Sequence, residues 1–251
     1  MNRKCYLIAM AAGHGSRMGT ELPKQFLPLG GRAVLHTTIR KFVEAVPDIS
    51  VVTVLPQGGE YADWWRRYCV ENNFNCPQMI VSGGITRFHS VKAALSKIPD
   101  GAVVAIQDGV RPLLTVEFIR SMFSRFDESD CRALIPVLPV VDTLKMLRKD
   151  NDGRLVQSSG PEPDRSVLFG AQTPQIFRSE DIRAAYGQAY DVSFTDDASV
   201  ASRYGIPLAF CEGERLNFKL TTPEDLILAE AVMKLGKESY SSFPLLKVVF
   251  S

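Results

Sequence analysis

The 251-residue sequence has no long apolar run, no excess of charge of either sign, and few cysteines and histidines. A transmembrane helix needs about 18 consecutive apolar residues, and because no such run occurs we expect no membrane partner. Lysine and arginine together number 29, against 28 aspartates and glutamates. This balance does not indicate a nucleic-acid-coating surface, so we expect no nucleic-acid partner. If basic residues bind a ligand, they must do so as a local cluster.

Cysteine and histidine usage argues against several kinds of site. No Cys-x-x-Cys pair occurs, which disfavours a disulfide framework or structural zinc and favours a reducing, cytoplasmic location; the five cysteines are Cys5, Cys69, Cys76, Cys131 and Cys211. The histidines suggest no catalytic triad and lie at His14, His36 and His89. The apolar run 5–12 could pass for a signal peptide, but it continues directly into a glycine-rich loop. We therefore interpret 5–10 as a buried strand.

Apolar runs alternate with segments of helical periodicity along the first half of the chain. The runs predict strands at 5–10, 50–55, 78–81 and 102–107, and the intervening spacing predicts helices at 33–43, 60–72 and 87–97. This alternation is typical of an α/β fold with a parallel sheet. Ligands of such sheets bind at the carboxyl ends of the strands. Polar loops follow three predicted strands there, after Met10, Val81 and Gln107.

The middle of the chain departs from this alternation. Residues 133–147 are rich in β-forming side chains, and Asn151-Asp152-Gly153 is typical of a hairpin turn. We predict a protruding β-arm at approximately 136–168, inserted in a single domain that spans 1–251. Exposed strand edges need a partner, so we expect a homodimer through this arm. The alternative is a flexible segment that leaves the sheet without forming an interface. The sequence Thr-Pro-Glu-Asp at 222–225 predicts a final helix from about Pro223. We expect the apolar segment 243–250 to pack on the body or on a neighbouring subunit.

A glycine-rich loop follows the first predicted strand. It reads Ala-Ala-Gly-His-Gly-Ser-Arg-Met at 11–18 and is followed by Pro-Lys-Gln-Phe at 23–26. Small residues let the backbone approach a ligand closely, and consecutive amides can bind anionic oxygens. Arg17 and Lys24 add two positive charges beside this loop. The spacing matches neither Walker A nor Gly-x-Gly-x-x-Gly, yet the combination predicts a triphosphate site.

These two motifs resemble the signature of the isoprenoid and polyol-phosphate cytidylyltransferases, in particular the 2-C-methyl-D-erythritol 4-phosphate cytidylyltransferase family of the non-mevalonate pathway. Further segments agree with that family in order along the chain, namely 83–91, 108–112, 141–145, 164–165, 172–175, 195–199 and 217–221. The resemblance implies a Rossmann-like, mostly parallel sheet flanked by helices, of the nucleotide-diphospho-sugar transferase type, with a β-arm and a homodimeric assembly.

The activity implied by this resemblance is transfer of CMP from CTP to 2-C-methyl-D-erythritol 4-phosphate. The acceptor phosphate would attack the α-phosphorus in line, releasing pyrophosphate and forming 4-diphosphocytidyl-2-C-methyl-D-erythritol. Such a reaction joins two anions, so charge neutralisation and alignment matter more than a general base. Mg²⁺ is the implied cofactor, held mainly by nucleotide phosphates, with Asp108 as the nearest protein ligand.

The resemblance also assigns residues to roles. The implied catalytic residues are Arg17, Lys24, Arg165 and Lys219. Those implied to bind the nucleotide are Ala11, Ala12, Gly13, Gly15, Arg17, Lys24, Gly83, Arg87, Ser90, Asp108 and Gly109. Those implied to bind the acceptor are Asp108, Arg111, Thr143, Arg165 and Lys219, of which Thr143 and Arg165 lie on the arm and can reach the partner subunit's site.

Two departures from the family pattern concern residues near the nucleotide. The usual His-Asp-Ala-Ala-Arg-Pro appears as Gln-Asp-Gly-Val-Arg-Pro at 107–112, and Ile85 stands where an acid is often found. Both departures affect the choice between pyrimidine nucleotides.

Two alternatives to the implied activity stay open. Ribitol-5-phosphate cytidylyltransferase is the nearest alternative, and a non-catalytic nucleotide-binding subunit is a second. The pair Asp196-Asp197 allows a metal site, although helix initiation accounts for it better.

Overall fold

A computed structural model describes residues 3–13, 19 and 22–242. The strands within this part of the chain are β1 Cys5–Met10, β2 Pro28–Leu29, β3 Arg32–Ala33, β4 Ser50–Leu55, β5 Gln78–Ser82, β6 Val103–Asp108, β7 Ala133–Pro139, β8 Leu147–Lys149, β9 Leu155–Gln157, β10 Phe169–Ala171, β11 Gln175–Arg178 and β12 Ala209–Glu212. The α-helices are α1 Val34–Ala45, α2 Glu60–Glu71, α3 Arg87–Leu95, α4 Val116–Glu128, α5 Ser179–Ala185, α6 Asp197–Tyr204 and α7 Pro223–Ser242.

Eight strands form one mixed, mostly parallel sheet. Its order is β10-β7-β11-β6-β1-β4-β5, and β12 also pairs with β7. Strands β6, β1, β4 and β5 run parallel, because a helix returns the chain between successive members. Strand β11 is antiparallel to both β6 and β7. The predicted parallel sheet is therefore confirmed for the first half of the chain, and the second half adds antiparallel strands.

Helices cover both faces of this sheet, which explains why its central strands are continuously apolar. All six residues of β1 are buried. One face packs against α1, α2 and α4, with Phe42, Trp65 and Phe123 among the fully buried side chains. The other face packs against α3, α5 and α6, where Leu95 and Ile182 are buried.

Most predicted elements of the first half are present with shifts of a few residues at their ends. Helix α4 was not among the predictions, although its buried residues Ile119, Met122, Phe123 and Phe126 have helical spacing. Its start is marked by Thr115, whose hydroxyl accepts a hydrogen bond from the Phe118 amide at 3.1 Å. The local sequence thus contained the signal for this helix.

The segment predicted as an arm contains a small separate sheet. Strands β8 and β9 pair only with each other among the described residues. The turn between them includes Gly153 at φ +79°, so the predicted hairpin turn is confirmed. Large apolar side chains on and near this hairpin are exposed, namely Val141, Met146, Leu147, Leu155, Val167 and Phe169. Dimerisation through this segment and the single-domain organisation stay predictions.

Two further expectations concern the C-terminal part of the chain. The predicted helix beginning at Pro223 is present as α7. The apolar segment 243–250 lies outside the described residues. None of the helices described here combines the length and the apolar character required to cross a bilayer.

An aromatic cluster packs α2 against the elements beside it. Phe26 lies with its ring centroid 4.6 Å from that of Trp64 and 6.2 Å from that of Trp65. Buried His36 stacks on Phe74, and its Nδ1 lies 3.1 Å from the Tyr68 hydroxyl. Burial, together with nearby arginines, lowers the pKa of His36 to about 4 from its ordinary value of 6.5. The folded protein therefore holds this imidazole neutral.

This burial predicts a loss of stability in mild acid. The unfolded chain protonates His36 near pH 6.5 and the folded chain only near pH 4, so the stabilising contribution is complete above pH 6.5 and is lost as the pH falls towards 4. The full difference amounts to about 3 kcal/mol. We expect His36→Gln to lose less stability than the wild type between pH 7 and pH 4.5, measured by urea unfolding at both values. Parallel losses in the two proteins would contradict this assignment.

Candidate active site

A cleft of about 530 Å³ opens at the carboxyl ends of β1, β5 and β6. The three polar loops predicted to meet at this edge all contribute to it, and the segment around 219–221 closes one side. Its lining comprises Met10, Ala11, Ala12, Gly13, Lys24, Gln25, Gln57, Gly83, Gly84, Ile85, Thr86, Arg87, Ser90, Asp108, Val110, Lys219 and Thr221. Backbone from a glycine-rich loop, basic side chains and one carboxylate thus face the same cleft.

The loop after β1 is held by a side chain that was not predicted as a site residue. Gln25 is buried, and its Nε2 donates hydrogen bonds to the carbonyls of Ala11 at 2.7 Å and Gly13 at 2.9 Å. Its neighbour Lys24 lies on the same 3-10 turn and donates from Nζ to the Leu220 carbonyl at 2.9 Å. One turn therefore fixes the loop backbone and places an ammonium group at the cleft.

The paired glycines after β5 allow the loop after β1 and the helix α3 to approach them closely. A Cβ atom on Gly83 would lie 2.6 Å from the Cβ of Ala12, and one on Gly84 would lie 2.4 Å from the Cβ of His89. No larger residue fits either position without displacing its neighbour. Ser90 completes the contact, because its hydroxyl accepts the Gly84 amide proton at 2.9 Å and donates to the Thr86 carbonyl at 2.9 Å.

A carboxylate surrounded by three cations lies at the end of β6. Lys219 Nζ is 3.1 Å and Arg111 Nε is 3.3 Å from Asp108 Oδ2, while Arg87 Nε is 3.9 Å from Oδ1. Burial alone would raise the pKa of Asp108, but Lys219, Arg87 and Arg111 together lower it to about 2 from 3.8. Asp108 is therefore ionised at neutral pH, and positive charge exceeds negative charge around it.

Hydrogen bonds behind Asp108 fix the segment that carries Lys219. The Asp108 amide donates to Thr173 Oγ1 at 3.1 Å, and the side chain of buried Asn217 donates to the Thr173 carbonyl at 2.8 Å. Arg111 Nη1 donates to the Asn217 carbonyl at 2.7 Å. The Leu220 amide also donates to the Val110 carbonyl at 2.9 Å. Residues distant in sequence thus hold Lys219 beside Asp108.

The two acidic residues at the start of α6 have different roles. Asp196 is the N-cap and forms a capping box with Ser199, so the predicted helix initiation is confirmed. Asp197 is fully buried and accepts hydrogen bonds from Arg87 Nη1 at 2.8 Å and Nη2 at 2.6 Å. The hydroxyl of Tyr186 donates to Asp197 Oδ1 at 2.6 Å. Neither Asp197 nor Tyr186 was predicted to contact a residue of the cleft.

The structure brings most of the predicted site residues together. Those that line the cleft are Ala11, Ala12, Gly13, Lys24, Gly83, Arg87, Ser90, Asp108 and Lys219. Arg111 is not among the lining residues but contacts Asp108 Oδ2 through Nε at 3.3 Å, and Gly109 packs against Leu35, whose Cδ1 would be 2.8 Å from an added Cβ. Gly15 and Arg17 lie outside the described residues.

The two predicted arm residues lie apart from this cleft within the chain. Thr143 and Arg165 are exposed and are not among its lining residues. Arg165 Nη1 donates to the Val141 carbonyl at 2.5 Å, which ties its side chain to the segment after β7. Gln57, Ile85 and Thr221 line the cleft but were not predicted as site residues.

The donor set limits how a divalent cation could bind. Among the described residues, no group of three or more His, Cys, Asp or Glu side chains could hold a metal ion. Asp108 is the single carboxylate among the lining residues, and it already pairs with Lys219 and Arg111. Mg²⁺ in nucleotide enzymes commonly binds one or two carboxylates together with substrate phosphates. This cleft therefore fits a cation that is held chiefly by the phosphates of a nucleotide.

Known proteins are similar to this chain in both sequence and architecture. The sequence model of the family described as 2-C-methyl-D-erythritol 4-phosphate cytidylyltransferase matches residues 5–235. A protein of that name from Bacteroides thetaiotaomicron is 39% identical over 227 residues, covering 90% of this chain and 98% of that protein. One from Porphyromonas gingivalis is 40% identical over 234 residues, covering 93% and 99%.

A solved structure agrees with these sequence matches. The crystal structure of 2-C-methyl-D-erythritol 4-phosphate cytidylyltransferase from Thermus thermophilus is 30% identical, with a TM-score of 0.65, and covers 92% of this chain and 99% of that one. The predicted mostly parallel α/β sheet flanked by helices is thereby confirmed, and the protruding β-arm stays a prediction. Because the family match extends over the sheet, the cleft and most of α7, the chain belongs to the 2-C-methyl-D-erythritol 4-phosphate cytidylyltransferase family.

Proposed function

We propose that the chain transfers the cytidylyl group of CTP to 2-C-methyl-D-erythritol 4-phosphate, with Lys24 at the nucleotide phosphates and Lys219 and Arg111 at the acceptor phosphate. The observation that carries this assignment is the cluster of cations around Asp108, which faces the glycine-rich loop across one cleft. Two anionic substrates must meet during this reaction, and positive groups on both sides of a cleft favour their approach.

The nucleotide side of the cleft is formed by backbone and by Lys24. The residues of the loop at 11–13 are small enough for close approach of a ligand, and Gln25 holds the carbonyls of Ala11 and Gly13 by hydrogen bonds. The Lys24 ammonium, which lies near the Leu220 carbonyl, would stabilise charge developing on the leaving pyrophosphate. The predicted role of Arg17 is the same. Gly83, Gly84 and Ser90 form the wall proposed to contact the base and ribose.

The acceptor side is formed by Asp108, Arg111 and Lys219. An acceptor phosphomonoester is already nucleophilic, so its oxygen can form the new bond to the α-phosphorus without a general base. As that bond forms, the bond from the α-phosphorus to the bridging oxygen breaks, and pyrophosphate leaves with the electron pair. Lys219 carries three donors, of which Asp108 takes one at 3.1 Å. The others remain available to orient a phosphate.

We also propose Mg²⁺ as the cofactor, with Asp108 as its nearest protein neighbour. When bound, the ion would neutralise phosphate charge during transfer. Burial among cations keeps the pKa of Asp108 near 2, so its carboxylate stays charged at every pH at which the enzyme would work.

A homodimer would complete the acceptor site. Thr143 and Arg165 lie on the exposed segment between β7 and β10, outside this chain's own cleft. Large apolar side chains on the same segment, including Leu155 and Val167, are exposed, which is typical of a surface that binds another protein. We propose that a second copy covers these side chains and receives Arg165 at its acceptor phosphate.

Substrate identity is tested by pyrophosphate release with CTP and Mg²⁺. We expect rapid release with 2-C-methyl-D-erythritol 4-phosphate and little with D-ribitol 5-phosphate measured in parallel. Because both acceptors carry a phosphate that the cations of the cleft would bind, the cleft must distinguish the two polyols by their shape and hydrogen bonds. Preference for ribitol phosphate would overturn the acceptor assignment, and CTP binding without release from either would favour a nucleotide-binding subunit.

The role of Lys219 is tested by Lys219→Met, which removes the charge and keeps the apolar stem. We expect kcat/KM for the acceptor to fall about a hundredfold, the usual scale for losing one preorganised charged donor. Lys97→Met is the matched control, because Lys97 is exposed just beyond α3 and lies outside the cleft lining. Equal activities in the two variants would contradict the assignment of Lys219.

Sharing of residues between subunits is tested by mixing two inactive variants. Arg165→Ala removes the arm's contribution, whereas Lys24→Ala disables the cleft. A mixed dimer would contain one cleft with intact Lys24 and with Arg165 from the other subunit, so we expect activity to recover to about a quarter of the wild-type value after random exchange of subunits. Continued inactivity, with exchange demonstrated by differently tagged chains, would show that each cleft uses its own residues.

A further inference from the structure

Asp197 lies outside the cleft, yet it forms two hydrogen bonds with Arg87, which lines the cleft. The carboxylate is 0% exposed and belongs to the first residue of α6, 110 residues along the chain from Arg87. Its two oxygens accept hydrogen bonds from Nη1 and Nη2 of Arg87 at 2.8 and 2.6 Å. Such bidentate pairing fixes the plane of the guanidinium as well as its position.

Tyr186 in turn fixes the orientation of Asp197. Its buried hydroxyl donates to Asp197 Oδ1 at 2.6 Å. The Tyr186 ring stacks on Phe88, the residue after Arg87, with centroids 4.7 Å apart. The same tyrosine thus contacts both the carboxylate and the first turn of α3, so the start of α3 and the start of α6 are joined through it.

The geometry leaves only one nitrogen of Arg87 directed at Asp108. With Nη1 and Nη2 bound to Asp197, Nε lies 3.9 Å from Asp108 Oδ1, too far for a hydrogen bond. The Asp108 carboxylate uses its other oxygen, Oδ2, for Lys219 and Arg111. The two Nη atoms of Arg87 are thus bound to Asp197 and not to Asp108.

Without the charge of Asp197, the partly buried guanidinium of Arg87 would lose its bidentate partner, which is costly. Asp108 is the nearest remaining carboxylate to it among the contacts described. Arg87 would then move towards Asp108, away from the cleft wall formed by Gly83 and Thr86, and would weaken the hold of Asp108 on Lys219.

We propose that Asp197, oriented by Tyr186, is a positioning residue that acts through Arg87 to keep the cleft arranged for CTP. This inference rests on the proposed function, because its readout is the binding of CTP. Neither residue touches the cleft. Their effect must therefore disappear when Arg87 is absent, whereas a general structural role would persist.

A double-mutant cycle on Asp197 and Arg87 tests this dependence. The dissociation constant of CTP is measured by calorimetry, with Mg²⁺ and without acceptor, for wild type, Asp197→Asn, Arg87→Gln and the double variant. We expect Asp197→Asn to weaken CTP binding about tenfold in the wild-type background and less than about twofold in the Arg87→Gln background, a coupling usual for contacting residues. Equal effects in both backgrounds, or none in either, would overturn the inference.

Two further variants distinguish an effect on CTP binding from a loss of folding. Asp196→Asn is the matched control, since Asp196 precedes Asp197 and bonds to Gln175 and Ser199 rather than to Arg87. It should weaken the helix and leave CTP binding unchanged. If Asp197→Asn fails to fold, Tyr186→Phe replaces it in the cycle, because it removes a single hydroxyl. Its expected effect is about threefold, again only when Arg87 is present.

The same measurements separate failure of this inference from failure of the proposed function. Wild-type protein that binds CTP but releases no pyrophosphate with the acceptor would contradict the proposed function, and the binding cycle would still decide the role of Asp197. Wild-type protein that binds no CTP would overturn both. Release of pyrophosphate together with an Asp197→Asn effect independent of Arg87 would overturn the inference alone.

Discussion

The ionised carboxylate of Asp108 is the interaction on which the cleft depends. Burying a carboxylate costs several kcal/mol unless cations and hydrogen bonds compensate. Here the compensation comes from Arg87 at the start of α3, from Arg111 just beyond β6 and from Lys219 on the segment before α7. The fold can bury Asp108 only by bringing these segments together, so stability and the formation of a positively charged cleft have the same cause.

The sheet provides the position at which this convergence is possible. Strands β1, β4, β5 and β6 are parallel neighbours, so the loops that follow three of them lie along one edge. Strand β11 then enters antiparallel beside β6 and brings Thr173 to the amide of Asp108. The parallel half of the sheet therefore presents the loops that line the cleft, and the antiparallel half supports Asp108 through Thr173 and Asn217.

Local sequence signals predicted the parallel half of the fold and the residues that lie in its loops. Lys24, Asp108 and Lys219 could be identified because each belongs to a short contiguous motif, and all three line the cleft. Asp197 could not be assigned to Arg87, since the two are far apart in sequence and the pairing exists only after α3 and α6 pack on one face of the sheet. Gln25 was missed for a related reason, because its role is visible only in the loop carbonyls that it contacts.

The packing of Phe26 gives the 3-10 turn at Lys24–Phe26 an intrinsic fluorescence probe. The chain has two tryptophans, and both indole rings lie close to the Phe26 side chain, which shares a turn with Lys24 and Gln25. Indole emission responds to small changes in the surrounding dipoles and aromatic contacts. Any ligand that moves this turn alters the environment of both indole rings, so the intensity and wavelength of tryptophan fluorescence report on the cleft without an added label.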